Sequence, residues 1–246
     1  MCGLDALGRR PYPRIKRLER TKNAVLPLIT ILLAMGFVLL SCGAPIPPLP
    51  SVEELATTQI REYQGQELSS IEDFRENSIQ GPRYVDAASY RLAITGLVGS
   101  ETTLTYEQVL GEFEAHQRVA TLDCEEGWGV TLLWEGVLVR DLLDRAGVLP
   151  DAKIVIFRSV DGYSTSLLLD YLYENDIMLA HKMNEVVLPA ELGFPFQVVA
   201  EGKWGYKWIK WVDEIEVSDD ELYEGYWESR GFSDNANLDQ PFLDQS

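Results

Sequence analysis

The chain has 246 residues, 46% of them hydrophobic and 24% charged, with a formal net charge of −18. Seven basic and two acidic side chains fall within residues 1–42, so the remaining residues carry −23. So acidic a body lacks the basic footprint that nucleic-acid binding needs. The stretch of roughly 170 residues from 70 to 235 is ample for one sizeable core.

The first 42 residues read as an address. A basic head ends at Lys22, an apolar run occupies residues 24–40, and Leu39-Leu-Ser-Cys42 follows. Basic head, apolar middle and small exit residues make an export signal. The Leu-Leu-Ser-Cys ending resembles the lipobox of bacterial lipoproteins, and by that resemblance Cys42 becomes a lipid-bearing N-terminus. An uncleaved transmembrane anchor or another processed signal are the alternatives; the run is short for a span and Pro27 interrupts it. Each places the body outside the cytoplasm, tethered to the cell membrane on its periplasmic or surface side. Arg9-Arg10 loosely resembles a twin-arginine export signal, and a merely basic head explains it equally well.

Residues 43–70 read as a proline-rich tether followed by a polar arm, either a stalk or a loosely packed segment. The core pattern begins near Tyr90. Strands are predicted over 91–95, 118–123 and 130–134, with a short helix capped by Thr105 between the first two. Apolar residues at 138, 139, 142, 143 and 146 recur at helical spacing, and Gly147 closes that helix. Residues 153–157 and 163–167 form a hairpin about Asp161-Gly162, and a helical turn follows to Tyr173. A second hairpin spans 177–182 and 185–188 around Met183-Asn184. Residues 196–200 make a buried strand, and 210–217 the last one. The domain is predicted over 71–235, with a solvated acidic tail after it. Short strands outnumber short helices, which predicts an α+β fold: a mixed, barrel-like sheet core with long loops.

Cys124 ends the strand 118–123 and precedes the turn-forming Glu125-Glu-Gly127. With Cys2 and Cys42 in the address segment, it has no disulfide partner in the body. It is either a small buried residue or a chemical ligand.

Several ordered blocks from Tyr90 to Asn235 resemble the molybdopterin-binding domain of the sulfite oxidase family. They are Thr121-Leu-Asp-Cys124 with Gly127-Trp128, then Trp134 to Leu143, Asp161 to Ser166, Gly193-Phe-Pro195, Gly205 to Trp211, and Gly225 to Gly231. Short bacterial members, including those similar to methionine sulfoxide reductase catalytic subunits, are the nearest type. The resemblance implies a molybdenum–molybdopterin cofactor with Cys124 as the protein's metal ligand. A soft thiolate suits such a metal, which holds the sulfur deprotonated. It further implies that Lys210, with Trp208 and Ile209, binds the pterin phosphate, that Ser159 contacts the pterin, and that Lys207 belongs to the same anion site. Asn77 matches a family asparagine ahead of the core. Gln197 stands where relatives carry an arginine on that phosphate, and an amide brings no charge.

The implied activity is oxygen-atom or electron transfer at molybdenum, acting on a small-molecule substrate. The lean is toward a neutral sulfoxide or N-oxide, because Arg118, Arg140, Arg158 and Arg230 are few for a dianion such as sulfite; sulfite oxidation stands as an alternative. There is no Cys-x-x-Cys-His haem motif, so the electron partner is expected to be separate, a haem or quinone-linked membrane protein. A different class of reading keeps the fold as a non-catalytic binding or assembly module.

Overall fold

The computed structural model describes residues 49–244; the expected export signal, Cys42 and most of the proline-rich tether lie outside them. In chain order the elements are α1 Val52–Ala56, β1 Glu62–Tyr63, β2 Gln66–Glu67, β3 Leu92–Gly96, β4 Thr102–Leu104, α2 Tyr106–Glu112, β5 Ala115–Asp123 and β6 Gly129–Leu138. There follow α3 Val139–Ala146, β7 Ile154–Ser159, β8 Ser164–Leu168, α4 Leu169–Glu174, β9 Met178–Met183, β10 Val186–Val187, β11 Gln197–Val199 and β12 Val212–Ser218. The fold is α+β, as the short-strand pattern predicts.

Two five-stranded sheets share the work. One runs β10-β9-β6-β5, with β11 also on β9; the other runs β4-β3-β12-β7-β8. Within the first, β5 and β6 form a long antiparallel hairpin from Ala115↔Val137 to Asp123↔Gly129. In the second, β12 lies parallel to β3 and antiparallel to β7. Alternation sets the faces: Ile215 and Val217 of β12 are buried, while Glu214 and Glu216 point outward to Arg158. Leu122, Leu132, Phe157 and Ile215, drawn from both sheets, belong to one hydrophobic cluster. Trp134 and Trp208 pack within it at a ring separation of 5.7 Å.

The helices follow their capping signals. Thr105 accepts from the Gln108 N–H and Gln108 returns the bond, a capping box that starts α2. α3 buries Val139, Leu142, Leu143 and Ala146, and Gly147 ends it in the left-handed conformation that spares glycine a Cβ clash.

The arm departs from expectation. Leu55, Leu68, Ile71 and Phe74 are buried, so residues 51–74 pack on the body instead of hanging from it. Asn184, fully buried at φ 46°, supplies the reason. Its amide donates to Ser69 O (2.9 Å) and Gln59 Oε1 (3.0 Å), and its Oδ1 accepts from Leu133 N–H at 3.0 Å. A polar-looking arm is thereby bonded to a hairpin more than a hundred residues away. The tail also differs from the solvated reading. Ala236 is fully buried, and Phe242 packs on Trp204 and Phe232 at 5.6 and 5.7 Å.

His181 of β9 is buried, and burial lowers its pKa from 6.5 to about 4, with Glu135 at 3.7 Å offsetting part of the shift. The unfolded chain therefore binds this proton more readily than the folded one. Its contribution to stability is complete above pH 6.5 and declines as pH falls toward 4, by about 3 kcal/mol in total. Denaturant unfolding across that window should show His181→Gln losing less stability on acidification than wild type, and parallel profiles would refute the assignment.

Candidate functional site

The turn that joins β5 to β6 positions Cys124. Its N–H donates to Trp128 O at 2.8 Å, and Gly127 N–H donates back to Cys124 O at 2.9 Å. Gly127 sits at φ 82°, the left-handed residue that a three-residue hairpin loop requires. Against the back of this turn lies Gly205, where an added Cβ would stand 3.3 Å from both Asp123 O and Cys124 Cα. The backbone of the 205–207 turn thus closes on the cysteine, and a bridge between Asp123 and Trp204 fixes the approach.

A cleft of about 360 Å³ opens over Cys124. Asn77, Gln197, Trp208, Ile209 and Lys210 all line it, from three separate stretches of chain. They share this cleft with Cys124. Two of the candidates do not reach it. Lys207 is fully buried and pairs with Glu228 at 2.5 Å, while also donating to Ser166 O at 3.0 Å. Its charge is consumed in holding the loop 225–231, so it is not an anion ligand. Ser159 is buried at the end of β7, away from the cleft lining, and its Oγ has no partner among the described residues. Its backbone closes the following turn, Gly162 N–H donating to Ser159 O at 2.9 Å. Asp161 is the residue from that turn that faces the cleft.

Asp161, Tyr163, Arg75, Ser78, Glu125, Tyr226 and Trp227 line the cleft without having been singled out in the sequence. Arg75 and Ser78 flank Asn77, and Glu125 follows Cys124, so adjacency to a chosen residue was the available signal. Tyr226 and Trp227 arrive through the Lys207–Glu228 pair and Tyr226 N–H to Ser164 O (2.9 Å), contacts that no local pattern reveals.

Electrostatics divide the cleft. Cys124 is 6% exposed, and its sulfur lies 3.6 Å from Glu125 Oε2. Burial pushes the thiol up to about 12; the Glu126 N–H pulls it down, and the Glu125 and Glu126 carboxylates add to the rise. A free thiol there is protonated, and a bound metal ion is what turns it into a thiolate ligand. At the mouth, the Lys210 ammonium meets Glu76 Oε1 at 3.0 Å and stands 4.5 Å over the Trp211 ring. Burial lowers the Lys210 pKa, and Glu76 offsets this in part.

Two buried polar atoms in the lining lack partners: Gln197 Oε1 and Ser78 Oγ. Native proteins leave few such groups unpaired. A cofactor with ring N–H groups, sulfur donors and a phosphate fits these residues. Gln197 and Ser78 would hydrogen-bond it, Lys210 would meet its anion, and Cys124 would offer the soft donor that suits molybdenum.

Comparison with known proteins agrees with this chemistry. Residues 79–227 match the family model described as oxidoreductase molybdopterin binding domain. The chain is 31% identical over 152 residues to the uncharacterized oxidoreductase YuiH of Bacillus subtilis, covering 61% of this chain and 76% of YuiH. It is 33% identical over 151 residues to the putative protein-methionine-sulfoxide reductase subunit YedZ1 of Azospira oryzae, covering 61% of this chain and 57% of that subunit. Chicken sulfite oxidase is 28% identical over 198 residues, 68% of this chain and 43% of the enzyme. Among solved structures, the sulfane dehydrogenase SoxCD of Paracoccus pantotrophus superimposes with a TM-score of 0.58 at 26% identity, over 65% of this chain and 44% of that one.

Because both charges of the Lys207–Glu228 pair are fully buried, removing one leaves the other unpaired. Lys207→Met should cost about 3–5 kcal/mol in denaturant unfolding, and the double variant Lys207→Met/Glu228→Leu should recover most of it. A single substitution as mild as a surface change would show that the pair does not organise this loop.

Proposed function

Because the chain belongs to the oxidoreductase molybdopterin binding domain family and is a molybdopterin-dependent oxidoreductase, we propose that its Cys124 thiolate ligates the molybdenum and that the site reduces a small, neutral S-oxide or N-oxide. When bound, the cofactor supplies two-electron redox chemistry and oxygen-atom exchange. Reduction of an S-oxide consumes two electrons and two protons and releases the thioether and water. The electrons come from a separate partner, and the body is held outside the cytoplasm by its N-terminal segment, a reading supported by the basic head, apolar run and Leu39-Leu-Ser-Cys42.

The observation that carries the choice of substrate is the charge around Cys124. Glu125 lies 3.6 Å from its sulfur, and Asp161 faces the same cleft. A dianion beside the Cys124 sulfur is opposed by these carboxylates. The four arginines singled out in the sequence are not in the lining. Arg118 donates to Asn175 O and Asp176 O, Arg140 pairs with Asp176, Arg158 with Glu214 and Glu216, and Arg230 lies over the Tyr226 ring. Arg75 is the single guanidinium in the lining.

The remaining residues bind and orient. Trp128, Tyr163, Trp208, Tyr226 and Trp227 wall the cleft with aromatic surface. Such faces hold a sulfur-bearing or methyl-bearing group well and exclude water from the reacting centre. Tyr163 is fixed by its hydroxyl, which donates to Tyr206 O at 2.6 Å. Asp161 Oδ1 accepts the Tyr163 N–H at 2.9 Å and braces the same wall.

Steady-state assays on the loaded protein test the reading. Reduction of dimethyl sulfoxide or trimethylamine N-oxide by reduced viologen should exceed sulfite oxidation with ferricyanide by 10²-fold or more in kcat/KM, about 3 kcal/mol of discrimination. Cys124→Ser should abolish turnover of either. Sulfite as the preferred substrate would overturn the assignment.

A further inference from the structure

Residues 74–79 cross the mouth of the cleft as a strap fastened at both ends. Phe74 is wedged against Trp128 and Trp134 at ring separations of 5.8 and 6.3 Å. Gln80 Nε2 donates to Asp161 O at 2.8 Å. Between these anchors, no backbone–backbone hydrogen bond among the described residues holds 75–79. A segment with so few fixed groups opens at low cost. Arg75, Asn77, Ser78 and Ile79 line the cleft, while Glu76 turns its carboxylate onto Lys210.

The Lys210 side chain is 10% exposed and that of Glu76 30%. A buried ammonium without a partner is costly, so an acid must stand beside it whenever no other anion does. Lys210 is Glu76's single ion-pair partner among the described residues. The same cleft holds the unpartnered Gln197 Oε1, fully buried, and Ser78 Oγ. The mouth thus has the elements of an oxyanion site, with its cation already taken by the protein's own carboxylate.

We propose that Glu76 is an internal competitor for the anion site at Lys210. Its carboxylate occupies the ammonium in the unloaded chain and is displaced by a phosphate-type oxyanion, and the displacement frees the strap 75–79. The proposal rests on reading this cleft as the cofactor's. One ammonium cannot fully neutralise both a phosphate and a carboxylate at contact distance, so one anion leaves. Glu76 is the one that can: it is already part-exposed, sits on the unfastened stretch, and reaches water without breaking another ion pair. The energetic exchange is one charge-assisted bond for another. Loading therefore needs no new cation, but its affinity is reduced by the competition. Glu76 acts on the strength and timing of loading, through Lys210, as a positioning residue.

The test uses the full chain purified from a host unable to make the cofactor, with inorganic phosphate as the probe. Tryptophan fluorescence reports binding through Trp211, and limited tryptic cleavage after Arg75 follows release of the strap. Phosphate should bind Glu76→Gln about tenfold more tightly than wild type, a difference of about 1.4 kcal/mol. Glu76→Ala should match it, and Lys210→Met should abolish binding in either background. Saturating phosphate should raise cleavage after Arg75 in wild type and leave that of Glu76→Gln unchanged. Phosphate affinity equal in wild type and both Glu76 variants, or binding that survives Lys210→Met, would overturn the proposal. Molybdenum content of the same chains from a cofactor-competent host separates the two readings. A wild type without molybdenum counts against the proposed function. A loaded wild type, with Glu76 variants that load no faster and no further, counts against the competitor alone.

Discussion

The turn that closes β5 on β6 is the constraint on which the rest of the site depends. It fixes Cys124 between two backbone hydrogen bonds and a glycine whose missing side chain lets the 205–207 segment lie against it. That contact brings Tyr206, Trp208, Ile209 and Lys210 to the same cleft, because they continue from the glycine that touches the cysteine. A buried ion pair then carries the order outward. Lys207, one residue behind Trp208, holds Glu228, and Glu228 holds the loop that presents Tyr226 and Trp227. A side chain on Gly225 would stand 2.6 Å from Glu228 Oε2 and 2.5 Å from Ser164 O, so the loop closes on β8 only as glycine. The site is therefore built by backbone proximity first and charge second.

The physical character of the cleft follows from how its charges are spent. Three cations of this region are neutralised by acids of the same chain: Lys210 by Glu76, Lys207 by Glu228, Arg158 by Glu214 and Glu216. In a body of charge −23 the acids are in excess, and the cleft floor keeps Glu125 and Asp161. On the proposed reading, such a lining favours neutral ligands near Cys124 and admits an anion at Lys210, where Glu76 gives way. This separation of a neutral reacting end from an anionic anchoring end needs no arginine at Gln197.

Much of the fold is legible in the chain, and the reasons are local. α3 is written in residues 138–146 by apolar spacing and Gly147, and β5 to β8 by apolar runs and turn residues. Cys124 is legible as a candidate ligand because a strand end, a glycine turn and the ordered blocks around it coincide. The failures are non-local. The arm looks polar because its burial depends on Asn184 and on only four well-separated apolar residues. Lys207 and Lys210 differ by three positions and look alike in sequence, yet one faces Glu228 inside the core and the other the cleft mouth. Only the direction of the turn at 205–208 separates them. Ser159 has a hydroxyl in the expected place along the chain, but Asp161, two residues on, is the side chain that the turn delivers.

The central claim is that the Cys124 sulfur is a metal ligand at the floor of this cleft. Molybdenum K-edge X-ray absorption on the loaded protein, wild type against Cys124→Ala, measures it most directly. The account predicts one sulfur fewer in the metal's coordination shell in any Cys124→Ala protein that retains molybdenum, with the fold intact by circular dichroism. An identical sulfur shell in the two proteins would contradict it.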